Sequence, residues 1–233
     1  MDTQNKRMFT PAKKHTLSED VAASLRDAIF SGLLSPGEQI SEEALAKSLT
    51  TSRGPIRDAL SQLEHEGLVI TRDNRRKYVA RLTREDLEEV YSLRTVLELL
   101  AVREALRHAG PPELNEMQAI LDCMVVDSRA GITEKQAAEL DINFHDALCR
   151  AGKHKRLYQI WSDLHQQIQV VLLSRNVANE DFREHVVSSH QSILDAIRDK
   201  NEERAIALMQ THLQASYKRI IASYDQASAS VTV

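Results

Sequence analysis

The chain has 233 residues, 42% of them apolar and 27% charged, which is the composition of an ordinary soluble globular protein with room for one large or two small domains. No apolar run approaches the roughly 20 residues that span a bilayer, and the basic start MDTQNKRMFTPAKKH is not followed by the apolar core of a secretion signal, so a cytoplasmic location without membrane attachment is expected. A net charge of −4 speaks against a general nucleic-acid coat protein. The charge is unevenly spread, however: Lys+Arg against Asp+Glu is 12 to 11 over residues 1–80, which leaves 18 to 23 of the totals 30 and 34 for the rest.

Residues 1–16 read as a flexible arm. Val21, Leu25 and Ile29 then repeat at i, i+4, i+8 and predict a first helix over about 18–33, stopped by the Gly and Pro of SGLLSPGEQ. A short second helix follows Ser41, whose spacing to Ala44 gives a partial capping signal, with Leu45 and Leu49 on one face. Ser52 is placed to cap a third helix. Pro55 is tolerated in its first turn, Ile56, Ala59, Leu60 and Leu63 form its buried stripe, and Gly67 ends it. LVITR and KYVARL are β-type runs joined by Asp73-Asn74-Arg75-Arg76, which predicts a two-stranded hairpin with a basic tip. Three short helices and a hairpin are the layout of a winged helix-turn-helix domain, here residues 17–81.

With its apolar stripe turned inward, the third helix points Arg53 and Arg57 outward from its first two turns. In such domains that end enters the major groove, where arginine bonds guanine edges or clamps phosphates, and Thr50, Thr51 and Ser52 lie beside them as phosphate partners. Taken alone, Arg57 could equally pair with Asp58 or Glu64 on a solvated face. The basic cluster of Arg72, Arg75, Arg76, Lys77 and Arg81 favours DNA.

Residues 82–226 read as about six helices in an antiparallel all-helical bundle, broken at Pro111-Pro112, Gly131 and Gly152, with 227–233 as a tail. Cys123 and Cys149 both fall in apolar helical patterns, which predicts reduced, buried thiols. In ELDINFHDAL, Asp141 and His145 are i, i+4 and share a face; His190 and His212 follow 22 residues apart. One carboxylate with three imidazoles is a credible shell for zinc, nickel or a similar divalent ion. Spacing alone leaves the choice open, because His108, His154, His165 and His185 are also available. Arg94 either pairs with Glu98 one turn on or offers its guanidinium to a carboxylate ligand, and Arg175 is a second candidate of that type. Phe144 and Trp161 read as packing residues.

The stretch from Leu25 to Val69, LRDAIFSGLLSPGEQISEEALAKSLTTSRGPIRDALSQLEHEGLV, resembles the signature of the GntR-type bacterial transcription regulators. The rest, opening with LTREDLEEVYSLRTVLELLAVREAL, resembles the FadR branch with its all-helical FCD effector domain. The resemblance implies that Arg53 and Arg57 contact operator DNA and that the wing tip enters the minor groove. The tip departs from the family's usual Arg-Gly pair, since no glycine occurs there. It also implies a metal held by Asp141, His145, His190 and His212 with positions left for an effector carboxylate. A homodimeric, effector-responsive regulator reading an inverted repeat in double-stranded DNA, most often a repressor, is the leading expectation. A regulator that answers to the metal alone is a second. A metal-dependent hydrolase is the least favoured, since no HExxH, GxSxG or phosphate-binding loop is present.

Overall fold

The structure, a computed structural model, describes residues 16–131, 133–173 and 186–230. Its elements run α1 (Leu17–Phe30), β1 (Gln39–Ile40), α2 (Glu42–Ser48), α3 (Arg53–His65), β2 (Val69–Thr71), β3 (Lys77–Val79), α4 (Arg84–His108), α5 (Pro111–Ala130), α6 (Glu134–Ala151), α7 (Lys155–Leu173), α8 (Val187–Arg198) and α9 (Glu202–Ser230). The fold is mainly α, a winged helix-turn-helix unit followed by a helical bundle.

Two apolar cores correspond to these two parts. The small one gathers Val21, Leu25 and Ile29 of α1 with Ile56, Ala59, Leu60 and Leu63 of α3, closed by Ile40, Leu68, Val69 and Val79. The large one runs through α4 to α9. α1 starts at a capping box between Thr16 and Glu19 and ends at Phe30, sooner than expected, because Gly32 takes a left-handed turn (φ 73°) and Leu33 faces solvent. At Ser41 the hydroxyl does accept from the Ala44 amide at 3.3 Å. Leu49, expected on the apolar face of α2, is the exposed C-cap.

The expected hairpin is part of a three-stranded antiparallel sheet of order β1-β3-β2. Gln39 and Ile40 pair with Tyr78 and Lys77, in a stretch that reads from sequence only as a helix stop. A two-residue strand has no alternation to detect, and only its partner strand defines it. At the wing tip the Arg75 amide donates to Arg72 O (2.8 Å) and the Arg72 amide to Arg76 O (3.1 Å), with Arg75 left-handed at φ 58°. That is a type I turn followed by a bulge residue, a place that normally takes glycine. Asn74 supports it by accepting from the Arg76 amide at 3.0 Å and donating to the Tyr78 hydroxyl at 3.0 Å.

In the bundle, α4 opens at a Thr83–Asp86 capping box. Pro111 and Pro112 lie in the first turn of α5, where a missing amide costs little. Gly152 caps α6 against α4: an added Cβ would stand 2.8 Å from the Glu104 Cβ. α4 packs on α6, α7, α8 and α9 and is the central helix. Cys149 is buried as expected, whereas Cys123 is exposed, since the broad apolar face of α5 is narrower in space than its periodicity implies.

Candidate functional site

The candidate DNA-contacting side is built on the turn between α2 and α3. α2 closes in a Schellman-type cap, the Thr51 amide donating to Ala46 O at 3.0 Å and the Thr50 amide to Lys47 O at 3.4 Å, with Thr50 itself left-handed at φ 49°. A β-branched residue is strained there, by about 1–2 kcal/mol. Ser52 occupies the N-cap of α3, but its side chain makes no capping bond, a correction to its expected role; the hydroxyl is exposed beside Arg53. Arg53 and Arg57 are both exposed on the outer face of α3, and they are held by the first turn of α2. Arg53 donates to Glu43 at 3.1 Å and Arg57 to Glu42 at 2.9 Å. The partner of Arg57 is therefore neither Asp58 nor Glu64, and the hydrogen bond and charge of Glu42 raise its pKa. Glu64 instead binds Lys77 and, at 2.6 Å, the Thr71 hydroxyl, fixing the wing to α3. Thr51 is half-buried, while Arg75 and Arg76 are exposed at the wing tip, where Arg76 reaches Gln39 at 3.4 Å.

The second candidate centre lies inside the bundle. α6 supplies Asp141 and His145 from one face, α8 supplies His190 and α9 supplies His212. One ligand atom from each lies within 4.8 Å of all the others, and all four residues are buried. The Nε2 atoms of His190 and His212 stand 3.1 and 3.3 Å from that of His145, and Asp141 Oδ1 is 3.5 Å from His190 Nε2. Phe144 packs its ring 4.5 Å from that of His190. Burial, the dominant influence, pushes His190 down to about 3 and His212 well below the usual histidine range, so both are kept neutral with lone pairs available.

Glu98 on α4 sets the chemistry of this cluster. Its carboxylate contacts His145 Nδ1 through Oε2 and accepts from Arg94 Nε through Oε1 at 2.6 Å. Burial opposes its ionisation, but His145 and Arg94 outweigh it and hold Glu98 down at about 2. A carboxylate on Nδ1 makes that nitrogen the donor and leaves Nε2 of His145 facing Asp141, His190 and His212, the arrangement of a carboxylate-oriented metal ligand. The donor set therefore fits a divalent metal. Arg94 is wholly buried. Burial would lower its pKa, but Glu98, Tyr91 and Asp141 raise it. It donates to the Tyr91 hydroxyl at 3.2 Å, and its Nη2 has no hydrogen-bond partner among the described residues although it lies 3.9 Å from Asp141 Oδ2.

Of the two alternatives weighed for Arg94, the pair with Glu98 is present, and its Nη2 remains an unsatisfied donor beside the cluster among the described residues. Arg175 lies outside the described residues, as does His185. Trp161 is buried, donates to Asp146 at 3.2 Å, and stands 6.4 Å ring to ring from His145. His154 accepts the Leu157 amide, and His108 sits beside Glu104. Sequence reasoning missed the contact of Glu98 with His145 and that of Ser189 with His212 Nδ1, at 3.0 Å. The i, i+4 spacing from Arg94 accounts for Glu98 locally, and nothing local points to a histidine 47 residues on.

Comparison with known proteins bears on both centres. Residues 17–79 match the model of bacterial regulatory proteins of the gntR family, and residues 89–215 match the FCD domain. The gluconate operon transcriptional repressor of Bacillus licheniformis is 32% identical over 86% of this chain and 85% of its own length. An uncharacterized HTH-type transcriptional regulator of Bacillus subtilis, YdhC, is 30% identical over 78% and 80%. Among solved structures, Escherichia coli McbR/YncC shares the fold with a TM-score of 0.77 at 23% identity, covering 90% of this chain and 99% of the other. A GntR-type regulator from a Rhodococcus species reaches 0.74 at 27% identity, over 88% and 97%. The chain belongs to the gntR family of bacterial regulatory proteins, with a helical FCD domain following its winged helix-turn-helix.

Proposed function

We propose that this protein is a cytoplasmic transcriptional repressor that binds an inverted repeat in double-stranded operator DNA as a homodimer and answers to a small carboxylate taken up beside a divalent metal. The convergence of Asp141, His145, His190 and His212 next to the unsatisfied Arg94 Nη2 carries the effector part of this reading. One carboxylate and three imidazoles suit zinc or nickel, and the metal would supply an electrophilic centre for an incoming carboxylate. Arg94, with Arg175 as a second guanidinium, would bind that acid. Thr51, Ser52, Arg53 and Arg57 would engage the major groove, and Arg75 and Arg76 the neighbouring minor groove. Residues 17–81 form the DNA-binding unit and 82–226 the effector unit, although α9 continues to Ser230, past the expected start of a tail at residue 227. Self-association is supported by Leu93 and Val96, which stand 54% and 68% exposed one turn apart on α4.

Thermal unfolding against a panel of small carboxylic acids, before and after chelation, tests the reading. An acid at about 100 times its dissociation constant adds roughly 2.7 kcal/mol to the native state, and that gain should vanish with the metal. His190→Ala and His212→Ala should lower metal content while leaving the winged unit folded. Full occupancy in both variants would sink the ligand assignment. DNA release on chelation that no acid influences would instead point to a regulator responding to the metal itself.

A further inference from the structure

The two arginines at the head of α3 are held in different ways. Glu42 and Glu43 both lie in the first turn of α2, and each meets one arginine across the turn. Arg53 gives only Nη2 to Glu43, at 3.1 Å, and that carboxylate side chain is 81% exposed. A pair so open to water is screened and exchanges readily. Arg57 instead gives its Nε to Glu42, at 2.9 Å, and the Glu42 side chain is only 30% exposed. Nε is the guanidinium nitrogen nearest the main chain, so a bond there fixes the plane and direction of the group. The two Nη groups then form the outer edge of a side chain that is itself 65% exposed. Two parallel donors on that edge match the O6 and N7 acceptors of guanine. Stability does not explain the pair, because exposed ion pairs contribute little. A carboxylate at a surface that meets phosphates also opposes attachment to DNA. The benefit of Glu42 therefore lies in which partner it leaves Arg57 to take.

Resting on the operator-binding reading above, we infer that Glu42 is a specificity-determining residue of the DNA interface: it holds Arg57 by Nε, keeps it from the phosphates, and presents both Nη groups to a guanine edge in the major groove. Glu42 itself touches no base and is a positioning residue. Without it, Arg57 is free to swing onto the nearest phosphate, which every sequence provides. Attachment to DNA in general then strengthens, while preference for one sequence falls.

The experiment uses the full-length protein and two probes: a duplex that the wild type selects from a randomised pool, and poly(dI-dC) as nonspecific DNA. Dissociation constants on both are measured across a salt series for the wild type, Glu42→Ala, Glu42→Gln, Arg57→Ala and the double variant Glu42→Ala/Arg57→Ala, with thermal unfolding of each as a check on folding. Glu42→Ala should lower the ratio of nonspecific to specific dissociation constants by roughly fivefold or more, the low end of what one bidentate base contact discriminates. The lost preference should fall at the same G·C pair that Arg57→Ala relaxes. On poly(dI-dC) its salt slope should steepen by about one unit, for the phosphate that Arg57 gains. Glu42→Gln, neutral but of the same shape, leaves the head of α2 undisturbed and should move the ratio in the same direction by less. In the Arg57→Ala background the Glu42 substitution should change neither ratio nor slope. An undiminished effect in that background would mean that Glu42 acts only as a general repulsive charge, and would overturn the inference. An unchanged ratio in Glu42→Ala would overturn it too, leaving the operator reading in place. A pool from which the wild type selects no sequence would remove both.

Discussion

Three residues, Arg94, Glu98 and Arg75, hold conformations or environments that their chemistry opposes. Arg94 and Glu98 place opposite charges in a fully buried position. Such a pair contributes little over an apolar one, yet removing one member strands the other, at a cost of about 3–5 kcal/mol. Arg94→Met should therefore lower stability by about that much in urea unfolding; a cost near zero would mean that water reaches Glu98. Arg75, at φ 58°, fills a turn position where glycine is unstrained, at about 1–2 kcal/mol. Arg75→Gly and Arg75→Ala remove the same charge, but only the glycine relieves the turn. If Arg75 touches a phosphate, both variants should flatten the salt dependence of operator binding by about one unit of slope, while only Arg75→Gly keeps or raises thermal stability.

Element ends in the bundle are fixed by close contacts and caps. The Cβ missing at Gly152 would collide with Glu104 on α4 and sit 3.5 Å from Ala101 O, so α6 meets α4 only because that residue has no side chain. Gly152→Ala should cost about 1–3 kcal/mol through overpacking, read as a shift of the urea midpoint at unchanged slope. At the head of α5, Glu113 accepts the Gly110 amide at 2.8 Å and pairs with Lys153 at 2.9 Å. The Lys153 hydrogen bond, followed by that of the Gly110 amide, lowers its carboxyl to about 2. A depressed folded value means the contribution is present above the ordinary carboxylate range near 4.5 and is lost as pH falls through about 2. Acidification across that window should destabilise the native protein more than it does Glu113→Gln.

At the scale of the whole molecule, the chain carries a net charge of −4 and still presents two exposed arginines at the head of α3. Bulk charge then disfavours nonspecific attachment, and recognition falls to a few contacts. Arg57→Ala should weaken operator binding by about 1–3 kcal/mol and relax preference at one base position; unchanged affinity and specificity would remove it from the interface. The two parts also touch. α3 and α7 together line a cleft of about 510 Å³ through Asp58, Ser61, Gln62, His65, Glu66 and Asp163. Gly67, just past the end of α3, lies so close to Gln167 of α7 that an added Cβ would stand 2.5 Å from its Nε2. On the far side of the same helix, Trp161 lies against His145, so α7 adjoins both the candidate metal centre and the DNA-binding unit.

The sequence by itself determined what is local. Apolar periodicity placed α3 and its outward arginines, glycines and prolines marked the breaks between bundle helices, and i, i+4 spacing put Asp141 and His145 on one face. These follow because a helix turn relates residues that are close in the chain, and because the signature from Leu25 to Val69 is continuous. Tertiary structure decided what depends on distant segments meeting. β1 exists only through its pairing with β3, Glu42 and Glu43 rather than Asp58 or Glu64 hold the arginines, and Cys123 faces out on α5. His145 meets Glu98, His190 and His212 across 47, 45 and 67 residues of chain. The cluster of Glu98, Asp141, His145, His190 and His212 is assembled from four helices, which no single stretch of sequence contains.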